Sequence, residues 1–150
     1  MRLIIGDTSC LILFNRIGRL DILQKTFASL AITDKVAEEY GTVPEWIDIK
    51  RDYDQTLYRK FNVNFGPGES SCMALALLED NPLLIIDDRR AKQVAKDVGI
   101  ECTGSLGVLL IAKNYRVIEA VGPIVSQIET TDFRISDKTT KAILRLAKED

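Results

Sequence analysis

The residues of this chain equipped for chemistry are carboxylates, and their positions suggest one shared site. Asp7, Glu39, Glu69 and the doublet Asp87-Asp88 recur along the chain, and two of these positions close apolar runs, Leu3-Ile4-Ile5-Gly6-Asp7 and Leu83-Leu84-Ile85-Ile86-Asp87-Asp88. In an open parallel sheet the carboxyl ends of the strands face one crevice, which is where ligands bind. Carboxylates gathered there repel one another unless a divalent cation or shared protons neutralise them. The chain has no histidine, so imidazole is excluded both as a base and as a ligand. A hard, oxygen-liganded ion, Mg²⁺ or Mn²⁺, is the expected occupant.

Each acid taken alone has an ordinary explanation. Asp7 and Asp88 suit helix N-caps, worth ~1 kcal/mol each. Glu69 suits a first helical turn, where a carboxylate meets the positive end of the macrodipole. Glu39, beside Glu38, suits a solvated helix face. The bland readings weaken when the acids are taken together, because Asp7 and Asp88 end strands whose rim the helix opening at Glu69 should share. Glu39 fits this scheme least well. It falls about five residues into its helix, hence ~7.5 Å below the rim, although its side chain leans back toward the helix N-terminus.

The elements that would position these acids alternate. Strand-like runs at 2–6, 30–32, 46–49, 83–87 and 100–102 are separated by helical patterns at 10–16, 20–25, 34–40, 54–61, 69–79 and 88–97. Three more helices follow, at 106–113, 118–128 and 136–148. Thr33-Asp34 cap one helix, while Gly66-Pro67-Gly68 and Asn81-Pro82 punctuate others. Alternation of this kind predicts an α/β fold, a three-layer α/β/α sandwich around a mainly parallel sheet with right-handed crossovers. A chain of 150 residues, 46% hydrophobic and 28% charged, is expected to form one domain over 1–150, with 116–150 a helical extension packed on it. No apolar run approaches the ~20 residues a bilayer demands. The N-terminal run is too short for a signal-peptide core, so a cytoplasmic protein without a membrane partner is expected. A net charge of −2 gives no global sign of nucleic-acid binding, and any basic contacts would have to be local. Cys10, Cys72 and Cys102 form no C-x-x-C pair and read as reduced core thiols rather than a zinc site.

Four segments carry a resemblance: Ile5-Gly6-Asp7-Thr8-Ser9, Val36-Ala37-Glu38-Glu39, the run Gly68-Glu69-Ser70-Ser71-Cys72-Met73-Ala74-Leu75-Ala76, and Ile86-Asp87-Asp88-Arg89-Arg90-Ala91. Their acids Asp7, Glu39, Glu69 and Asp88 stand 32, 30 and 19 residues apart. From residue 2 to about 115 the chain resembles a PIN domain, the fold of many metal-dependent ribonucleases, among them the toxins of VapBC toxin–antitoxin pairs. The segment Thr103-Gly104-Ser105-Leu106-Gly107-Val108-Leu109-Leu110 is similar to one prokaryotic subgroup. Ser105 stands where other relatives carry a further acid.

The resemblance implies a divalent-metal-dependent endoribonuclease, with Asp7, Glu39, Glu69 and Asp88 catalytic. Asp7, Glu69 and Asp88 would hold the ion, Mg²⁺ or Mn²⁺, and Glu39 would hold a ligand or a water on it. Two such ions ~3.5–4 Å apart would activate water and stabilise the leaving oxygen. Asp88 is preferred to Asp87 because the family's essential Asp commonly precedes a basic residue. Arg89, Arg90 and Lys92 would meet RNA phosphates at the rim, with a solvated first helical turn as the plain alternative. The resemblance also implies a toxin role, with a cognate antitoxin as partner, and a homodimer. Surplus apolar residues on the early helices (Leu11, Leu13, Phe14, Ile17, Leu20, Ile22, Leu23, Phe27) give that dimer an independent reason. The stripe Lys138, Lys141, Arg145, Lys148 reads as a surface helix or a docking face. Trp46 and Tyr58 read as packing residues or base-stacking platforms.

The main competitor is a non-catalytic PIN-like module that binds RNA or protein. Phosphatases of the haloacid dehalogenase type want Asp-x-Asp after the first strand, where this chain has Asp7-Thr8-Ser9. Receiver domains want an acidic pair at the first strand's end, and here the pair follows a late strand.

Overall fold

Short apolar runs form the strands β1 (Ile4–Gly6), β2 (Leu30–Thr33), β3 (Ile47–Lys50), β4 (Leu83–Ile85) and β5 (Glu101–Thr103) in a computed structural model that describes residues 2–150. All pairings are parallel, in the order β3-β2-β1-β4-β5. β1, β2 and β4 are buried along their whole length, as strands covered on both faces must be, and so they read as continuous Ile/Leu runs rather than alternating ones. The sheet is flanked by helices in a three-layer α/β/α arrangement.

The strand order places the site. From β1 the chain moves to β2 and β3 on one side, then crosses back to add β4 and β5 on the other. The point where the direction reverses lies between β1 and β4, and there the loops leaving the strands diverge and open a crevice. The register Gly6↔Ile85 makes the two strands end level. The backbone N–H of Asp7 donates to the Ile85 carbonyl at 3.0 Å, which carries the pairing one residue further and fixes Asp7 at the crevice floor.

Helices α1 (Thr8–Arg16), α2 (Leu20–Thr26), α3 (Asp34–Tyr40) and α4 (Gln55–Asn62) precede α5 (Pro67–Leu78). After β4 come α6 (Arg89–Asp97), α7 (Ser105–Asn114), α8 (Gly122–Glu129) and α9 (Asp137–Leu146). α5 packs on β1, β2 and β4 and takes α3 and α4 against it. It is buried continuously from Ser70 to Ala76, the pattern of a helix enclosed on all sides. Pro67 opens it at a position where the missing N–H costs nothing. Thr33 caps α3 by accepting the Val36 N–H at 3.2 Å. The C-terminal helices are held by Glu149, which accepts from the backbone N–H groups of Val121 and Gly122 and from Lys113 Nζ, each at 2.8 Å.

Three expectations change. The helix foreseen at 118–128 starts only at Gly122: Pro123 has no N–H to give and its ring clashes with the preceding turn, so it is confined to a first turn. The strand foreseen at 83–87 ends at Ile85, which frees Asp87 and Asp88 to turn into the crevice. The surplus of apolar residues on the early helices is absorbed internally. Leu11, Leu13, Phe14, Ile22, Leu23 and Phe27 are buried in this chain's own core, and Ile17 and Leu20 are half-buried against it. Two short helices set at an angle each bury a share, so this argument for a partner surface falls. Cys10 and Cys72 are buried free thiols and Cys102 is half-buried. Trp46 is half-buried against the core, and Tyr58 meets Tyr53 edge-on at 5.8 Å.

Candidate active site

Asp7, Glu39, Glu69, Asp87 and Asp88 all line one cleft of about 560 Å³, together with Thr8, Ser9, Gly66 and Gly68. Each arrives by a different route. Asp7 extends β1 and is only 4% exposed. It occupies the N-cap position of α1 without spending its side chain as a cap, so the carboxylate is free for other work. Glu69 stands in the first turn of α5. Asp87 and Asp88 leave β4 on the way to α6.

Glu39 reaches the cleft through a close approach of α3 to α5. A Cβ at Gly68 would collide with Glu39 Oε1 and stand 3.1 Å from Thr8 Oγ1, so the absence of a side chain at Gly68 leaves the space that the Glu39 carboxylate fills. Thr8 Oγ1 donates to Glu39 Oε1 at 3.1 Å and holds the carboxylate toward the rim. The depth of Glu39 in its helix is thus offset by the crossing, a feature that spacing along one helix does not reveal.

The acidic doublet divides. Asp87 is clamped by Ser105, which donates its backbone N–H to Oδ1 at 2.8 Å and its hydroxyl to Oδ2 at 2.6 Å. The Asp87 charge acts on Asp7. Asp88 caps α6, accepting the Ala91 N–H on Oδ2 at 2.8 Å, and its charge acts on Glu69. Both belong to the cleft, Asp87 toward its floor and Asp88 toward Glu69.

The electrostatics are those of an uncompensated acidic site. Among the described residues, no Lys or Arg nitrogen lies within ion-pair distance of any of the five carboxylates. Burial, followed by the charges of Glu69, Glu39 and Asp87, pushes the Asp7 carboxyl up to about 7 against the pull of the Thr8 backbone N–H. Glu69 is also raised, chiefly by burial and then by Asp88. Burial pushes the Cys10 and Cys72 thiols well up, and the nearby acids add to this, which excludes thiolate chemistry. Among the described residues no three acidic or thiol side chains close to a finished ligand set. Like charges spread one another apart. The donor chemistry nonetheless fits a hard divalent cation: oxygen ligands only, strongly acidic, with no Lys or Arg among the described residues ion-paired to them.

A PIN-domain family model matches residues 3–149. The chain belongs to that family. No curated protein and no solved structure matches it significantly. The PIN domain is a nuclease-type fold whose members generally use divalent metal ions, and in this PIN domain Asp7, Glu39, Glu69 and Asp88 line a single cleft.

The basic residues expected beside the acids sit differently. None of Arg89, Arg90 and Lys92 lines the cleft. Arg89 is exposed on the first turn of α6. The Arg90 guanidinium lies over the Phe65 ring, 5.3 Å from its centroid, and its charge pulls Glu69 down. Lys92 is half-buried and its Nζ borders Gly104, as Asp87 Oδ1 does. The basic residue that does line the PIN-domain cleft is Arg134, with Phe133 beside it. Sequence reasoning missed both, because they lie about 45 residues beyond the last acidic motif on the segment joining α8 to α9. Ser105 was read only as a missing acid, whereas its place in the fold is to anchor Asp87. A groove of about 610 Å³ at the amino ends of the strands, lined by Ile4, Phe27, Leu83, Leu110 and Tyr115 among others, contains none of the acids.

Proposed function

We propose that this PIN domain is a divalent-metal-dependent endoribonuclease and the toxin half of a toxin–antitoxin pair. The observation that carries the reading is five carboxylates in one cleft at the sheet's switch point, without a paired cation among the described residues. Burial and the neighbouring acids make the ionised form of Asp7 costly there unless a cation joins it. Asp7, Glu69 and Asp88 would hold Mg²⁺ or Mn²⁺, and Asp87 stands ready behind Asp7. When bound, the ion supplies an activated water and neutralises charge on the phosphodiester. The chain's own work is positional. Thr8 aims Glu39 and Ser105 fixes Asp87, while the buried floor around Asp7 keeps bulk water from screening the site. Arg89, Arg90 and Lys92 border the acidic rim as candidate phosphate contacts, with the half-buried Lys92 the least free of the three.

The toxin role, the cognate antitoxin and the homodimer rest on the family likeness, and the single-domain reading with 116–150 as an extension rests on chain length and composition. Among the described residues no helix is long and apolar enough to cross a membrane. Incubation with single-stranded and structured RNAs in Mn²⁺ or EDTA tests the enzyme directly. Metal-dependent cuts that vanish in Asp7→Asn are expected. No cleavage of any RNA, together with no Mn²⁺ binding, would transfer the protein to the non-catalytic binding modules. Growth arrest on induction, absent in Asp7→Asn, tests toxicity. Light scattering at tens of micromolar tests the dimer, and a monomer there would remove it.

A further inference from the structure

The C-terminal segment closes one side of the cleft. Phe133 and Arg134, between α8 and α9, line it together with Asp7, Ser9 and Ile12. Arg134 is the one basic residue and Phe133 the one aromatic residue among those lining it. Their position is built rather than incidental. Asp132 pairs with Arg16 at the end of α1. Thr131 Oγ1 donates to the Ile128 carbonyl at 2.6 Å and accepts the Phe133 N–H at 3.1 Å, which sets a fixed turn after α8. Phe133 is half-buried against the core, so its ring is seated while one side still faces the cleft. It also lines an adjoining hollow of about 240 Å³ with Ile12, Leu13 and Ser9, so the cleft continues past the ring.

Arg134 is exposed and, among the described residues, has no ion-pair partner. An unspent guanidinium on the wall of an acidic cleft is suited to an anion that enters it, and phosphate matches its forked donors. An aromatic face beside it suits a base, since every base can stack. Bases in a duplex are already stacked on one another, so such a platform serves an unpaired strand.

We infer that the Asp132–Phe133–Arg134 strap is the strand-binding wall of the site: Arg134 grips a phosphate next to the cut and Phe133 stacks the adjoining base. This rests on the nuclease reading above and adds two positioning residues to it. The strap residues bind and position; the acids carry the chemistry.

The test compares wild type, Phe133→Ala, Phe133→Tyr, Arg134→Gln and Arg134→Lys on matched single-stranded and duplex RNA with Mn²⁺. Binding of a fluorescein-labelled single strand is measured in the Asp7→Asn background. Phe133→Ala and Arg134→Gln should raise KM on the single strand about tenfold with kcat far less changed. Phe133→Tyr should restore binding, and Arg134→Lys should restore part of it. Arg134→Gln should also flatten the slope of log K against log salt by about 0.7, while Phe133→Ala leaves that slope alone. The Mn²⁺-induced rise in Tm should survive in every strap variant, which shows that they fold and keep the metal site. Wild-type KM and salt slope in both Phe133→Ala and Arg134→Gln, beside an inactive Asp7→Asn, overturn the strap and leave the nuclease reading standing. Equal losses on duplex and single strand in Phe133→Ala overturn the stacking role of Phe133. A wild type that neither binds nor cuts RNA overturns both readings.

Discussion

Asp7 concentrates the energetic argument at the residue scale. Moving its pKa from 3.8 to about 7 makes the ionised form roughly 4 kcal/mol costlier in the fold than in water, at about 1.36 kcal/mol per pH unit. The sign follows from linkage. The folded value lies above the ordinary one, so the penalty is absent below pH 3.8, grows as pH rises, and is complete above about 7. Asp7→Asn keeps the shape of the side chain and removes the charge, and its amide oxygen can still accept from the Thr8 backbone N–H that acts on the carboxylate. The metal-free variant should therefore match wild type near pH 4 and become the more stable protein by pH 7, while losing metal-dependent cleavage. Paired thermal melts across that window check this, and a variant that is less stable at pH 7 would refute the shared acidic site. The same residue shows what was legible in the sequence. Asp7, Glu69 and the doublet announce themselves because they end apolar runs or open a helix after Gly-Pro-Gly. Phe133 and Arg134 do not, because they lie outside any acidic or apolar pattern, just before the Ser136 cap of α9, and only the tertiary path of the α8–α9 segment brings them to the cleft.

Between elements, the crossing of α3 on α5 decides whether Glu39 takes part. The α/β alternation was readable because the central strands β1, β2 and β4 are apolar runs and most helices are bounded by a cap or a Gly/Pro stop. The edge strands β3 (Ile47–Lys50) and β5 (Glu101–Thr103) carry a weaker, partly polar pattern. Helix crossings have no such signature. Gly68 looked like turn punctuation, yet it is buried in α5's first turn with Glu39 filling the space a Cβ would need. Gly68→Ala should push the Glu39 carboxylate off the cleft, and because the displaced atoms are the tip of an exposed, flexible side chain the melting temperature should change little. Cleavage should fall about as far as in Glu39→Ala, and the double mutant should be no worse than either single one, since both act through the same carboxylate. Additive losses of activity in the double mutant would show that Gly68 does not act through Glu39. Ser105 belongs to the same lesson, because an apparent gap in the acidic pattern proves to be the residue that holds Asp87.

For the molecule as a whole, the acidic cleft couples folding to the cation. The converging carboxylates exist as a site only in the folded chain, so an ion bound there stabilises by mass action, ~2.7 kcal/mol at 100 times Kd. For a chain of this size that is about 5–10 °C in Tm, at roughly 2–4 °C per kcal/mol. The coupling must also depend on pH. Below about 7 Asp7 is largely protonated, and the ion has to displace that proton, so its apparent affinity should rise about tenfold per pH unit up to that point and then level off. The Mn²⁺-induced rise in Tm should accordingly be small at pH 5, large at pH 8, and reduced at both by Glu69→Gln. In Asp7→Asn, which has no proton to displace, whatever shift remains should lose most of its pH dependence. Differential scanning fluorimetry with Mn²⁺ against EDTA at the two pH values reads all of this directly. Identical melting curves with and without Mn²⁺ at pH 8 would remove the metal from the site, and with it the reason for holding five carboxylates together.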